Sequence, residues 1–337
     1  MFRHVTVLGF ALCLLLGCRG STEPETSSRD GEEFLRCAEP KTDGLVESFR
    51  LPPLTVARSG FDVDVNGIKR GLVVIGVIAG IFEPTESNFR NLTRFLEHFK
   101  AAGVQAIVVV GGLASGEKPL RAIIEHLRQA PVPILLVPGA EEHADVFHRT
   151  VADIRKAAPQ VMDMIRVRRV RLGHVTLLSL PGYYQPFYLR AAERGCSFEP
   201  QDIEATLALM DDKRTNVLLS PTPPRGTGPH SVDRSRVGVN TGYDILSKEL
   251  EKFGMQFGIF GHIYEAGGHA TLGDGFTAVS EGIWQESLYL QAGAAEALPR
   301  SLVGEGAAVG MAHIVEISGA RARYRSIHAG ATGSWSQ

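Results

Sequence analysis

Short apolar runs alternate with amphipathic segments along most of this chain. Leu72 to Val77 is continuous, apolar and rich in β-branched residues, which predicts a strand covered on both faces. Phe89, Leu92, Leu96 and Phe99 follow at helical spacing, and Gly103 supplies a stop. Ala106 to Val110 predicts a second strand, and Leu120, Ile123, Ile124 and Leu127 a second amphipathic helix. Ile134 to Val137 and then Phe147, Val151 and Ile154 repeat the alternation. Short β-α-β units of this kind imply parallel strands with helices packed on them.

The middle changes character. Val170 to Leu180 alternates around Gly173-His174, which predicts a hairpin. A helix carrying Ile203, Leu207 and Met210 leads into a strand over Asn216 to Ser220. Leu246, Leu250 and Phe253 mark another helix, capped by Gly254, ahead of a strand from Phe257 to Phe260. The end is β-rich, with Leu288 to Gln291, then His313 to Ile317 turning at Ser318-Gly319 into Arg321 to Ser326. No internal repeat is visible. The expected architecture is α/β, with two facing mixed β-sheets flanked by helices.

The ends read differently. Arg3 and His4 precede Val5 to Leu16, an apolar stretch too short to span a bilayer as a mature helix. It closes on Leu15-Leu16-Gly17-Cys18, which resembles the bacterial lipoprotein box. That resemblance implies removal of signal peptide 1–17 and acylation, palmitate among the chains, at Cys18. Several acyl chains, each methylene adding about 0.8 kcal/mol, hold a stable anchor. By resemblance to enterobacterial lipoprotein sorting, Arg19 in place of Asp implies the outer membrane, facing periplasm or surface, within the cell envelope. Residues 18–43 read as a disordered tether, because Ser21 to Ser28 has no apolar period. Residues 44–328 form the expected domain, and 329–337 a flexible tail.

Roughly 285 residues suffice for one large α/β domain with a substantial core. A formal charge of −2 gives no reason to expect nucleic acid as a partner. Arg166, Arg168, Arg169 and Arg171, with Val167 and Val170 between, read as a solvated edge strand; the alternative is a patch for acidic headgroups or a phosphorylated ligand. Cys13 leaves with the signal and Cys18 carries lipid, so Cys37 and Cys196 remain as a candidate disulfide in an oxidising compartment.

Candidate chemistry concentrates where strands end. Five turns stand in order: Val77-Ile78-Ala79-Gly80, Gly111-Gly112, Gly139-Ala140-Glu141-Glu142, Ser220-Pro221-Thr222-Pro223-Pro224 and Gly261-His262-Ile263-Tyr264. With Pro133 to Pro138, Val239-Asn240-Thr241-Gly242 and Gln291-Ala292-Gly293, they resemble the calcineurin-like metallophosphoesterases over about residues 72–327. In that family the turns read D-x-H-G, G-D, G-N-H-D/E, a ligand His before prolines, and G-H-x-H. The side chains there hold two divalent ions, and a bridging hydroxide attacks phosphorus.

The resemblance stops at the donors. Val77, Ala79, Gly112, Ala140 and Pro221 have no side-chain lone pair, and Tyr264 is a poor ligand near neutral pH. Two adjacent cations need anionic or imidazole ligands to offset their repulsion. His262 alone does not hold such a pair. Glu141, Glu142, His143, Asp145 and His148 form an acidic/His cluster that reads as a helix N-terminus rather than a relocated metal site. The expectation is a pseudoenzyme: no catalytic residue, no cofactor, and a vestigial site at Val77, Ala79, Gly112, Ala140, Glu141, Pro221, His262 and Tyr264. Its partners would be the membrane, through Cys18, and an envelope protein or small ligand. The alternatives are a rebuilt phosphoesterase with one divalent metal at His262 and Glu141 or Glu142, and a purely structural envelope protein.

Overall fold

The computed structural model describes residues 36–68, 71–184, 191, 194–304 and 306–330. The lipoprotein box with Cys18 lies outside the described residues, as does most of the expected tether and tail. Two mixed sheets carry the fold. The nine-stranded sheet opens with a meander, β1 (Val46–Leu51), β2 (Leu54–Ser59) and β3 (Asp62–Asn66). It continues through β8 (Arg169–Leu172) and β9 (Val175–Ser179) to three parallel strands, β10 (Thr215–Ser220), β11 (Phe257–Phe260) and β13 (Leu288–Gln291). The short β12 (Ala270–Thr271) closes its far edge. The six-stranded sheet runs β17 (Arg321–His328), β16 (Met311–Ser318), β4 (Val73–Ile78), β5 (Ala106–Val110), β6 (Ile134–Val137) and β7 (Val161–Asp163). A two-stranded ribbon, β14 (Arg300–Ser301) and β15 (Ala307–Ala308), stands apart.

The sequence dictates which face each strand shows. β4 to β6 are buried at every position because the sheets face one another on one side and helices cover the other. Val77, Val108, Leu135, Leu177 and Leu219 meet between the sheets. The helices α1 (Glu86–Ala101), α2 (Glu117–Leu127) and α3 (Ala144–Arg155) pack Leu92, Phe95, Ile123, Ile124 and Phe147 against Ile78, Val109 and Leu136. The helices α4 (Pro200–Leu207) and α5 (Asp244–Phe253) bury Ile203, Leu207, Leu246 and Leu250 on the outer face of the larger sheet. Local signals fix the helix ends. Thr85 Oγ1 accepts from Asn88 N at 3.2 Å to start α1, and Gly254 at φ +68° ends α5.

The arginine run corrects one expectation. β8 is an interior strand between β3 and β9, not a solvated edge. Its register sets Asp62 beside Arg169 and Asp64 beside Arg171. Asp62 accepts from Arg169 at 2.5 and 2.9 Å, and Asp64 from Arg171 at 3.3 Å, so these guanidinium groups are spent on the neighbouring strand. Arg168 points the other way and is fully buried. Its guanidinium donates to the carbonyls of Ser179 and Ala38 and to Thr206 Oγ1. Burial pulls its pKa down to about 9, against the fields of Asp202 and Asp163.

Residues 36–43, expected as the end of the tether, are held to the domain. Arg36 donates to Asp202 at 3.2 Å, Ala38 is buried beneath Arg168, and Asp43 accepts from Arg58 at 2.6 Å. Cys37 and Cys196 are joined with their Cα atoms 5.5 Å apart, across 159 positions of sequence. Closing so long a loop restricts the unfolded chain. Reduction, or Cys37→Ser, is expected to lower stability by about 2–5 kcal/mol in urea melts. Cys37→Ser should melt identically with and without reductant, whereas a wild-type curve unmoved by reductant would rule the staple out.

Candidate functional site

Six parallel strands, three from each sheet, end on one side of the molecule, so the turns after β4, β5, β6, β10, β11 and β13 converge there. This is where an α/β fold ordinarily presents its ligands. The turns are laced by backbone hydrogen bonds. Gly80 N donates to Gly111 O at 3.1 Å, and Ile81 N and Phe82 N both donate to Gly112 O at 2.6 and 2.9 Å. Ala295 N and Glu296 N reach back to Ala79 O and Gly80 O at 2.8 and 3.0 Å.

Two side chains fill what the lacing leaves. A Cβ on Gly112 would lie 2.6 Å from the Tyr264 hydroxyl and 2.7 Å from Gly80 Cα; one on Gly80 would meet the Tyr264 ring at 2.8 Å. Both glycines have φ above +60° or at it, a region other residues adopt at a cost. Pro221 does the same work on the other side, because a Cβ on Gly111 or Gly139 would meet its ring at 3.3 or 3.1 Å. Tyr264 and Pro221 stand at two of the positions where the resembling family has ligand histidines. Each packs as a plug against a pair of glycines from neighbouring turns.

A row of rings continues from the first plug. Tyr264 meets Phe82 edge-on at 5.1 Å, and Arg300 lies over both rings, 4.7 Å from Phe82 and 5.1 Å from Tyr264. His262 sits at φ +68°, with its ring 4.4 Å from that of Tyr183, and Tyr184 stacks on Tyr243 at 4.0 Å. A non-glycine residue at such a φ is strained and persists only where its surroundings enforce it.

Buried polar groups tie the turns from behind. Glu142 is fully buried; its carboxylate accepts from Leu113 N at 2.5 Å and Gly139 N at 2.7 Å, bridging the turns after β5 and β6. Desolvation pushes its pKa up to about 7, against those two hydrogen bonds. The sequence reading placed Glu142 at a helix N-terminus, yet α3 starts at Ala144 and the carboxylate serves the turn amides instead. Two further groups escaped that reading. His313, opposite Val77 in the β4–β16 register, is fully buried, and its Nε2–H donates to Ala292 O at 3.1 Å. Burial lowers its pKa to about 4, so the ring is neutral near pH 7. Gln291 donates to Val232 O and Gly261 O, both at 2.9 Å. A single His or Gln inside an apolar strand gives no signal of its partners until the strands are in register.

The structure brings the predicted positions together, with Tyr264 and Pro221 packed against the glycines of the turns. Val77, Ala79, Gly112, Ala140 and Pro221 are buried, as is Tyr264. Glu141 lines a cleft of about 420 Å³ together with Phe82, Asn88 and Arg300. Among the described residues no group of three or more His, Cys, Asp or Glu is placed to hold a metal ion. The donor set at the turn ends does not fit a dinuclear centre, because the positions between the sheets carry carbon and the space belongs to a phenol ring.

No family model matches this chain, and no curated protein does. Among solved structures, one crystal structure aligns with 76% of this chain and 99% of its own at 13% identity and a TM-score of 0.51. A dimetal phosphatase from Danio rerio covers 77% of this chain and 99% of its own at 13% identity and TM-score 0.48. The purple acid phosphatase PPD1 from yellow lupin covers 81% of this chain and 56% of its own at 9% identity and TM-score 0.46. At these identities the likeness is one of fold alone. Two facing mixed sheets flanked by helices, the architecture expected of that resemblance, is what the chain has.

Two outcomes follow from this geometry. Gly112→Asp, which restores the family residue, should destabilise by roughly 2–5 kcal/mol. Adding Tyr264→His should not rescue it, since Gly80 backbone also stands in the way; a double variant as stable as wild type in thermal melts would refute the closed-turn account. Glu142 has the raised folded-state pKa of a buried acid. Its contribution is present below the unfolded value of 4.5 and lost as pH rises through about 7. Wild-type stability should thus decline across that window relative to Glu142→Gln, by a few kcal/mol at most. Urea melts at pH 4.5 and 7.5 on both proteins measure the difference.

Proposed function

We propose that this chain is a non-catalytic relative of the metallophosphoesterases, anchored to the cell envelope through lipid on Cys18, that acts by binding an envelope partner. The observation carrying this reading is the Tyr264 plug. A phenol ring packed against Gly80 and Gly112 occupies space between the turns, and among the described residues no three His, Cys, Asp or Glu gather to hold a metal ion. Fold likeness transmits no activity without a site. With the interior between the turns filled, binding belongs to the surface around the mouth rather than to a buried ligand. No described helix is long and apolar enough to cross a membrane, so attachment in this reading rests on the acyl chains.

The test is elemental analysis of the purified protein together with turnover of a chromogenic phosphodiester. The expected result is substoichiometric zinc, iron and manganese, and no turnover above a heat-inactivated control with any of these ions added. Stoichiometric metal with turnover abolished by His262→Ala would instead establish the rebuilt hydrolase.

A further inference from the structure

We infer that the mouth above the closed turns is a docking surface for a protein segment that presents a basic side chain beside an apolar one. This rests on the reading that the chain acts by binding. Two clefts, of about 420 and 380 Å³, lie side by side at the strand-end face and share Glu296, Leu298 and Arg300 as the ridge between them. The ridge is rigid. Arg300 is ion-paired with Glu296 and lies over the Phe82 and Tyr264 rings, and the backbone of Glu296 is bonded to Gly80 O. From this fixed base Leu298 projects with 69% of its surface exposed.

The neighbouring loop adds to the apolar rim. Arg236 and Leu298 line the same cleft, and Val237 and Val239 on that loop are 83% and 51% exposed. Scattered exposed aliphatic residues need no explanation, but Leu298 stands on the ridge that the two clefts share. The charge of the larger cleft is one-sided. The larger cleft is lined by Glu83, Glu141 and Glu296 against Arg300 alone, and Arg300 is already engaged by Glu296. Glu83 is exposed and has no ion-pair partner among the described residues. A cationic side chain entering the larger cleft would find the Glu83 carboxylate, while an apolar neighbour covered Leu298. Two shallow clefts divided by a ridge suit two side chains of one extended segment better than one compact molecule.

The experiment is selection of a random dodecapeptide phage library on the full mature chain in detergent, followed by affinity measurement on the best synthetic peptide. Selected peptides should be enriched in Lys or Arg next to Leu, Ile, Val or Phe. Glu83→Lys and Leu298→Asp should each weaken binding at least about tenfold, while Arg321→Glu on the remote β17 edge should change it less than about twofold. Both test positions are exposed, so matching thermal melts will show the variants folded. No enrichment, acidic consensus peptides, or affinity that survives both substitutions would overturn the docking surface. None of those results touches the metal analysis, which alone decides whether the chain is non-catalytic.

Discussion

The carbonyl of Gly112 is the contact on which the rest of the strand-end architecture depends. It accepts two backbone amides, from Ile81 and Phe82, and so draws the turn after β4 onto the turn after β5. Once the turns are that close, neither can carry a side chain on its facing side. Glycine at 80 and 112 is then required by contact as much as by φ. The aromatic ring of Tyr264 completes the packing against both glycines. Closure, residues without side-chain donor atoms at 77, 79, 112 and 221, and the aromatic row are thus one arrangement rather than three separate features.

This arrangement also explains why the flanking polar groups have the character they do. Glu142 and His313 sit behind the closed turns, each fully buried, and burial shifts the titration of each toward its uncharged form. Their hydrogen bonds go to main-chain amides and a carbonyl, so they fasten backbone to backbone. Arg168 plays a comparable part on the outer side of the larger sheet, where it gathers carbonyls from β9 and from the N-terminal strap. Buried polar groups of this kind specify one register among several that an apolar core would tolerate.

Much of the core was legible in the sequence because period decides burial. The runs Leu72 to Val77, Ala106 to Val110 and Ile134 to Val137 could be assigned from composition alone, and β4 to β6 occupy those places within a residue or so. The first meander was not read. Residues 46–66 alternate, but one face of β1 is open to solvent and its run is broken by Arg50 and Arg58, so the signal was faint. β7 is only three residues long and carries Asp163, too little for a pattern. The arginines of β8 looked like an edge because their partners, Asp62 and Asp64, lie over a hundred positions earlier. At the candidate site, the missing donors were plain from residue identity. That Tyr264 and Pro221 would fill the gap was not, since it depends on how closely the glycine turns approach.

The way the chain enters the domain has a mechanical meaning. Arg36, Cys37 and Ala38 are fixed by an ion pair, a covalent bond and a buried guanidinium before the first strand begins at Val46. Tension arriving from the N-terminal side would meet those three points first. It would be passed into α4 and β9 near the middle of the larger sheet, leaving β1 unstrained at its margin. A domain gripped in this manner can be pulled from that side without having its outermost hairpin peeled away.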